Sequence, residues 1–183
     1  MTDKPKRIVV LGLGNPILTD DAVGLKITER LQALLAESPV PGVTVLESTR
    51  AGFELIDLLT GFHHALIIDA LDLPEPEPGR LRRLDLAEFA GCARLIAAHE
   101  ISLNQAFELA QRIQVPMPSE VEIFAIEAAE VRALSEEMTP AVAAVVDPVA
   151  QQVHARLSEL SSLYDLEDDD GDPSDQRRAY YSP

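Results

Sequence analysis

A short apolar strand, a glycine-containing turn and an amphipathic helix open the sequence and limit the folds available to it. Residues 7–13 (RIVVLGL) are mostly apolar and include three β-branched side chains, as in a buried strand. Residues 20–36 then repeat apolar side chains at helical spacing, which predicts a helix. A strand followed by a helix is half of a βαβ unit, so a parallel neighbouring strand is expected. Gly24 lies inside the helix and indicates a close approach of that helix to the sheet.

Strands and helices alternate along the rest of the chain. Strands are predicted over residues 43–47, 64–69, 80–85 and 121–126, and helices over residues 51–59, 100–113 and from 139 onward. Phe53 and Ile113 are expected to face the core, His63 and His64 to lie in a surface turn, and Pro148 to kink or split the last helix. This order predicts an α/β fold, a three-layer α/β/α sandwich with a mostly parallel sheet.

The composition changes near the end of the chain. Residues 165–183 hold seven acidic and two basic side chains and little that is aliphatic. Such a segment buries too little apolar surface to fold by itself. We therefore expect a folded domain over residues 1–164, followed by an acidic disordered tail over residues 165–183.

The charge of the chain excludes several classes of partner. Asp and Glu number 31 against 15 Lys and Arg, which gives a net charge of −16, and such a surface repels nucleic acid and anionic membranes. Cys92 is the one cysteine, so the chain cannot form an internal disulfide. No apolar stretch reaches the roughly 20 residues of a membrane span, and the apolar run near the start is too short for a signal peptide. We expect a cytoplasmic protein that binds neither nucleic acid nor membrane.

Polar residues follow two of the predicted strands and precede one helix. Asp20 and Asp21 come after the first strand, Asp69 ends the third, and His99 lies before the helix that begins at residue 100. Ligands of open α/β sheets bind beyond the carboxyl ends of the strands, so these side chains are expected in one crevice. Two carboxylates and an imidazole suit Zn²⁺, Ni²⁺ or Fe²⁺. The alternative is structural: Asp20 caps a helix, Asp69 caps a loop and His99 packs in the core.

Two other kinds of site are disfavoured. Gly12 and Gly14 begin a dinucleotide-like turn, but Ile17 stands where the third glycine belongs. Ser48 and Ser102 lack the G-x-S-x-G motif of serine hydrolases. We therefore expect no permanent organic cofactor.

Residues 11–24 (LGLGNPILTDDAVG) resemble the N-terminal signature of the [NiFe]-hydrogenase maturation endopeptidases, in which G-x-G-N is followed by D-[DE]-x-x-G. The resemblance continues through Ala51–Leu55, Leu66–Ala70, His99 and the helix start at Thr139-Pro140. It extends in order from about residue 7 to residue 160, which makes it far more specific than any one motif.

The resemblance implies a fold, a reaction and a partner. The fold would have a five-stranded mixed sheet with one antiparallel edge strand. Asp21, Asp69 and His99 match the family's metal-binding residues, and we expect them to carry both metal contact and catalysis. The family removes a C-terminal extension from the hydrogenase large subunit after nickel insertion. The implied protein is a monomeric, aspartyl-type endopeptidase whose nickel is carried by its partner, the large-subunit precursor.

The stretch after the second strand departs from the family pattern. The family commonly has an acidic residue, small residues and then threonine, whereas this chain has Arg50 at the threonine position after Glu47. Arg50 and Glu47 are therefore candidates for substrate specificity.

Two alternatives to the peptidase remain. Residues 12–16 also resemble the start of peptidyl-tRNA hydrolases, but their catalytic histidine segment is missing here, and the net charge of −16 disfavours a tRNA substrate. A second alternative is a non-proteolytic assembly factor that senses nickel in the large subunit.

Overall fold

Five strands form one sheet in the computed structural model, which describes residues 7–49, 52–86, 88 and 103–164. The strands are β1 Ile8–Leu13, β2 Val43–Ser48, β3 His64–Leu71, β4 Leu81–Asp85 and β5 Glu120–Glu127. Their order across the sheet is β2-β1-β3-β5-β4. Four strands run parallel, and β4 pairs antiparallel with β5 at one edge. This confirms the predicted mixed sheet with one antiparallel edge strand.

Helices cover both faces of the sheet. They are α1 Val23–Glu37, α2 Glu54–Leu59, α3 Leu103–Arg112, α4 Pro140–Ala143 and α5 Val146–Tyr164. The helices α1 and α5 pack on one face, and α2 and α3 pack on the other. The three-layer sandwich is therefore confirmed. Within the part of the chain that the structure describes, no helix is both long enough and apolar enough to cross a membrane.

The central strand β3 shows why its sequence is continuously apolar. All eight of its residues are buried. Leu66 and Ile68 pack towards α1 and α5, whereas Ala65 and Ile67 pack towards α2 and α3. A parallel strand covered on both faces needs apolar side chains at every position, not at alternate ones.

The first helix begins later than predicted and lies very close to the sheet. Residues Thr19–Ala22 form a 3-10 turn, and α1 starts at Val23. A Cβ atom on Gly24 would lie 2.1 Å from the carbonyl oxygen of Leu13 and 2.5 Å from that of Ile68. Only glycine lets the start of α1 rest directly on both β1 and β3, which confirms the expected close approach.

Several expectations for individual residues are wrong. Phe53 precedes α2 and Ile113 follows α3, and both side chains are exposed instead of facing the core. His64 is the first residue of β3 and is buried instead of lying in a surface turn. The last helix is split as predicted, but the break lies at residues 144–145, and Pro148 sits in the first turn of α5, where proline is tolerated.

A buried carboxylate joins the turn after β1 to the loop after β5. Asp20 is fully buried. Its Oδ2 accepts hydrogen bonds from the backbone N–H groups of Ala129 at 2.9 Å and Glu130 at 3.1 Å, and from Oγ1 of Thr139 at 2.9 Å. Its Oδ1 accepts a bond from the N–H of Thr139 at 2.7 Å. Asp20 therefore caps the loop of residues 128–139 and not α1, contrary to the capping role considered from the sequence.

Further backbone bonds fix the same two segments to each other. Leu18 and Ser135 form a parallel β-bridge, in which the N–H of Thr19 donates to Ser135 O at 2.9 Å and the N–H of Ser135 donates to Ile17 O at 3.1 Å. Oγ1 of Thr19 also donates to Ala133 O at 2.7 Å. The residue 128–139 loop is thus held in one conformation against the β1–α1 turn.

A second buried carboxylate orders the loop between β3 and β4. Glu127 ends β5, is fully buried, and accepts hydrogen bonds from the N–H of Glu77 at 2.6 Å and from Nε of Arg82 at 2.7 Å. Burial would raise the pKa of the Glu127 carboxyl, but these hydrogen bonds outweigh it and lower that pKa. The residue 72–80 loop is therefore fixed at the same end of the sheet.

A charged network closes the opposite, amino-terminal edge of the strands. Nε2 of His64 contacts Glu122 at 3.0 Å, and Nδ1 of His64 contacts the Tyr164 hydroxyl at 3.0 Å. Arg156 and Arg83 also donate to Glu122. Burial would raise the pKa of the Glu122 carboxyl, but hydrogen bonds from His64, Arg156 and Arg83 outweigh it and hold that pKa far below its ordinary value. This network ties the end of α5 to β3 and β5.

Replacing Asp20 tests whether its carboxylate holds the loop. Asp20→Ala leaves buried backbone donors unsatisfied, and hydrogen bonds to a charged group contribute about 1.5–3 kcal/mol each. We expect the free energy of unfolding to fall by about 3 kcal/mol or more, measured by urea denaturation. Asp147→Ala is the control, since Asp147 is an exposed acid paired with Arg30 and should contribute less than about 1 kcal/mol. A loss for Asp20→Ala no larger than that control would contradict the role.

Glu122 gives a pH-dependent prediction. Its pKa lies below the ordinary 4.5, so it contributes stability that is complete above about pH 4.5 and is lost as the pH falls further. Glu122→Gln should therefore lower the free energy of unfolding at neutral pH, and its difference from wild type should narrow towards about pH 3. Glu120→Gln, at an exposed neighbouring acid, should show little difference at either pH. A difference for Glu122→Gln that stays constant down to about pH 3 would contradict this prediction.

Candidate functional site

The carboxyl edge of the sheet contains the topological switch point. From β1 the chain crosses over α1 to β2 on one side, whereas β3 lies on the other side of β1. The intervening helices α1 and α2 cover opposite faces of the sheet. Connections that leave in opposite directions open a crevice between β1 and β3, which is where ligands bind in folds of this class.

Asp69 lies near the carboxyl end of β3. The sequence predicted Asp69 as the last residue of this strand. That is wrong, because β3 continues to Leu71 and Asp69 is the third residue from its end. Asp69 is fully buried, and its Oδ1 accepts a hydrogen bond from the N–H of Ala70 at 2.7 Å. Because Ile67 and Leu71 pack towards α2 and α3, alternation along the strand places Asp69 on that same face.

Asp21 lies beside the carboxyl end of β1. It belongs to the 3-10 turn, and its side chain is buried. A Cβ atom on Gly14 would lie 2.0 Å from the carbonyl oxygen of Asp21, so glycine at this position lets the turn fold back against the strand end. Since β1 and β3 are hydrogen-bonded neighbours, the structure brings Asp21 and Asp69 to the same edge and the same pair of strands.

The structure separates the two adjacent acids Asp20 and Asp21 by what they contact. Both oxygens of Asp20 are occupied by donors of the residue 128–139 loop, so Asp20 has a structural role. Asp21 accepts none of these four hydrogen bonds, and its turn lies at the β1–β3 crevice. Their position in the sequence does not distinguish them, because both are acids in one turn, whereas the family resemblance selects Asp21.

The structure describes only some of the remaining candidate residues. His99 and Arg50 lie outside the described residues, as do Cys92 and Ser102. Within residues 7–49, 52–86, 88 and 103–164, no three metal-ligating side chains form a cluster, and Asp21 and Asp69 are the two predicted ligands that these ranges contain. Glu47, the last but one residue of β2, is exposed and accepts a hydrogen bond from Oγ1 of Thr28 on α1 at 3.1 Å.

Two buried carboxylates at one crevice have a limited chemistry. A charge removed from water is stabilised by hydrogen bonds, by an opposite charge or by a metal ion. Carboxylates bind divalent cations, and they also exchange protons with a reacting water molecule. The two carboxylates could therefore bind a divalent cation or exchange protons with a reacting water molecule.

Comparison with known proteins identifies the family of the chain. The family model described as hydrogenase maturation protease matches residues 25–156. The hydrogenase 2 maturation protease of Escherichia coli (strain K12) is 30% identical over 156 residues, which cover 84% of this chain and 92% of that protein. The hydrogenase expression/formation protein HupD of Rhodobacter capsulatus is 27% identical over 97% of this chain and 85% of its own length.

Solved structures show the same fold. The hydrogenase maturating endopeptidase HybD from E. coli superimposes with a TM-score of 0.65 at 28% identity, covering 84% of this chain and 93% of that one. The [NiFe] hydrogenase maturation protease HybD from Thermococcus kodakarensis gives a TM-score of 0.60 at 26% identity, covering 82% of this chain and 99% of that one. With the family model matched over most of the domain, the chain belongs to the hydrogenase maturation protease family.

Proposed function

We propose that this chain is the endopeptidase that removes the C-terminal extension of a [NiFe]-hydrogenase large subunit after nickel insertion. Asp21, Asp69 and His99 would contact the nickel that the precursor carries and perform the hydrolysis. The proposal includes a monomeric enzyme of the aspartyl type acting in the cytoplasm. Its support is membership of the protease family together with the relatives named for hydrogenase maturation.

One structural observation carries this proposal. Asp21 and Asp69 are both buried, and both lie where the neighbouring strands β1 and β3 end at the switch point. Buried carboxylates favour a cationic partner. A precursor that presents a bound nickel ion would add a cationic contact to these carboxylates, so that contact would recognise the metal-loaded substrate and reject the empty one.

The third proposed residue, His99, is included because it matches the family's metal-binding residues. Leu103, the first residue of α3, packs in the apolar cluster on the Asp69 side. His99 precedes Leu103 by four residues, a span of about 14 Å at most. An imidazole added to two carboxylates makes a ligand set that suits nickel among the divalent ions.

The same groups can carry the hydrolysis. Water adds across one peptide bond: its oxygen bonds to the scissile carbonyl carbon, and its proton must be accepted, then delivered to the leaving amine as the carbon–nitrogen bond breaks. A carboxylate or an imidazole that faces the bond accepts and returns this proton. The substrate's nickel would hold the chain in place beside these groups, which reduces the entropic barrier.

We assign substrate choice to the end of β2. Glu47 is exposed there, at the rim of the same edge, and Arg50 follows it in the sequence where the family commonly has threonine. An arginine can bind a carboxylate or a backbone carbonyl of the substrate through its planar fork.

Incubation of the purified chain with an extended large-subunit precursor tests the function. Intact-mass spectrometry should show loss of one C-terminal peptide from the nickel-loaded precursor and no loss from the nickel-free precursor. Tight binding without cleavage would instead identify a nickel-sensing assembly factor. Equal cleavage of both precursors would overturn the role of nickel.

Substitution of the two buried acids tests their role. Asp69→Asn and Asp21→Asn keep size and shape but remove the charge, and each should lower the cleavage rate at least about 100-fold. Asp72→Asn is the matched control, since Asp72 is an acid at the same edge that pairs with Arg132 across 3.6 Å at the surface. Its rate should stay close to wild type. Near-normal cleavage by Asp69→Asn, with a wild-type melting temperature, would show that Asp69 is structural.

A further inference from the structure

Five large apolar side chains are exposed in the part of the chain that the structure describes, and they form two sets at opposite edges of the sheet. Ile17, Phe53 and Leu134 are 51%, 61% and 79% exposed, and all three lie in segments at the carboxyl edge. Ile113 and Leu163 are 55% and 71% exposed and lie at the ends of α3 and α5, at the opposite edge. The two sets can therefore be compared directly.

Ile17 and Leu134 are neighbours although 117 residues separate them. The parallel bridge pairs Leu18 with Ser135, so the residues one position earlier on each side lie next to each other. The hydrogen bond from the N–H of Ser135 to Ile17 O fixes this juxtaposition at 3.1 Å. Two separate segments thus present one apolar surface, which we call the Ile17–Leu134 patch.

The loop that carries Leu134 does not need to be ordered by a partner. The N–H groups of Arg132 and Ala133 donate to Oε1 of Glu130 at 2.7 and 3.1 Å, and the N–H of Glu137 donates to Oγ of Ser135 at 3.0 Å. A leucine held out to solvent on a fixed loop loses little conformational freedom when a partner covers it. Covering it with a partner removes apolar surface from water, which favours binding.

The patch lies at the same edge of the sheet as the candidate site. Ile17 precedes Asp21 by four residues in the connection between β1 and α1, and the loop of Leu134 is held by Asp20, the neighbour of Asp21. A protein that places one of its segments at Asp21 and Asp69 therefore reaches the edge that carries this patch. The exposed acids Glu136 and Glu137 follow Leu134 closely and would repel an acidic segment.

We propose that the Ile17–Leu134 patch docks the large-subunit precursor, binding an apolar side chain from a segment that carries basic and not acidic groups. The inference rests on the proposed function and adds a contact that lies outside the cleavage residues. The patch acts in binding, so its loss should raise KM and leave kcat nearly unchanged.

Kinetics of cleavage of the purified nickel-loaded precursor test the patch. Leu134→Asp and Ile17→Asp should each raise KM by about 10-fold or more with kcat within about 2-fold of wild type. Leu134→Ala should give a smaller rise in KM. Leu163→Asp and Ile113→Asp are the matched controls, because they place the same charge at equally exposed leucine and isoleucine positions on the opposite edge, and their KM should not change.

The outcomes separate this proposal from the proposed function. Unchanged KM for both Leu134→Asp and Ile17→Asp, while Asp69→Asn loses cleavage, would overturn the docking surface and leave the function standing. An equal rise in KM for the Leu163→Asp control would also overturn it, since the effect would then be one of added charge. Absence of cleavage by the wild-type chain would overturn the function itself. Melting temperatures within a few degrees of wild type establish that the variants fold.

Discussion

The carboxylate of Asp20 is the interaction on which the functional end of the molecule depends. A charge buried without partners is strongly destabilising, so a buried Asp persists only where donors surround it. Here four donors do so, and all of them come from residues 129, 130 and 139. This one side chain therefore converts the long connection after β5 into a fixed wall beside the β1–α1 turn. With Glu127 holding the residue 72–80 loop, two buried acids order most of the carboxyl edge.

The second constraint is the contact between α1 and the sheet. Glycine at position 24 lets the helix start directly on the carbonyl oxygens of Leu13 and Ile68. Because Leu13 ends β1 and Ile68 lies in the second half of β3, the contact fixes where the preceding turn can lie. Asp21 in that turn and Asp69 in β3 then lie at the same edge of the sheet, at neighbouring strands. The backbone geometry thus places the two acids, and their burial determines what their carboxylates can bind or exchange.

Much of the fold was predictable because the strands are apolar runs bounded by turn residues, and the order of elements leaves few topologies. The positions of single side chains were harder to predict from the sequence. Phe53 fits the helical spacing of α2, but the helix begins one residue later, and the ring points outward. His64 looked like a turn residue because its partners, Glu122 and Tyr164, are far away in sequence. The family resemblance selected Asp21, but the structural role of Asp20 required knowledge of a loop more than 100 residues distant. The roles of His99 and Arg50 stay predictions, since both residues lie outside the described ranges.

The central claim is that Asp21 and Asp69 contact the nickel ion of the substrate. Nickel K-edge X-ray absorption spectroscopy on the loaded precursor, frozen alone or rapidly after mixing with the enzyme, measures this contact directly. We expect more oxygen or nitrogen scatterers around nickel with the wild-type enzyme than in the precursor alone, and fewer with Asp69→Asn than with wild type. An identical nickel environment with and without the wild-type enzyme, in samples that go on to cleave when thawed, would contradict it.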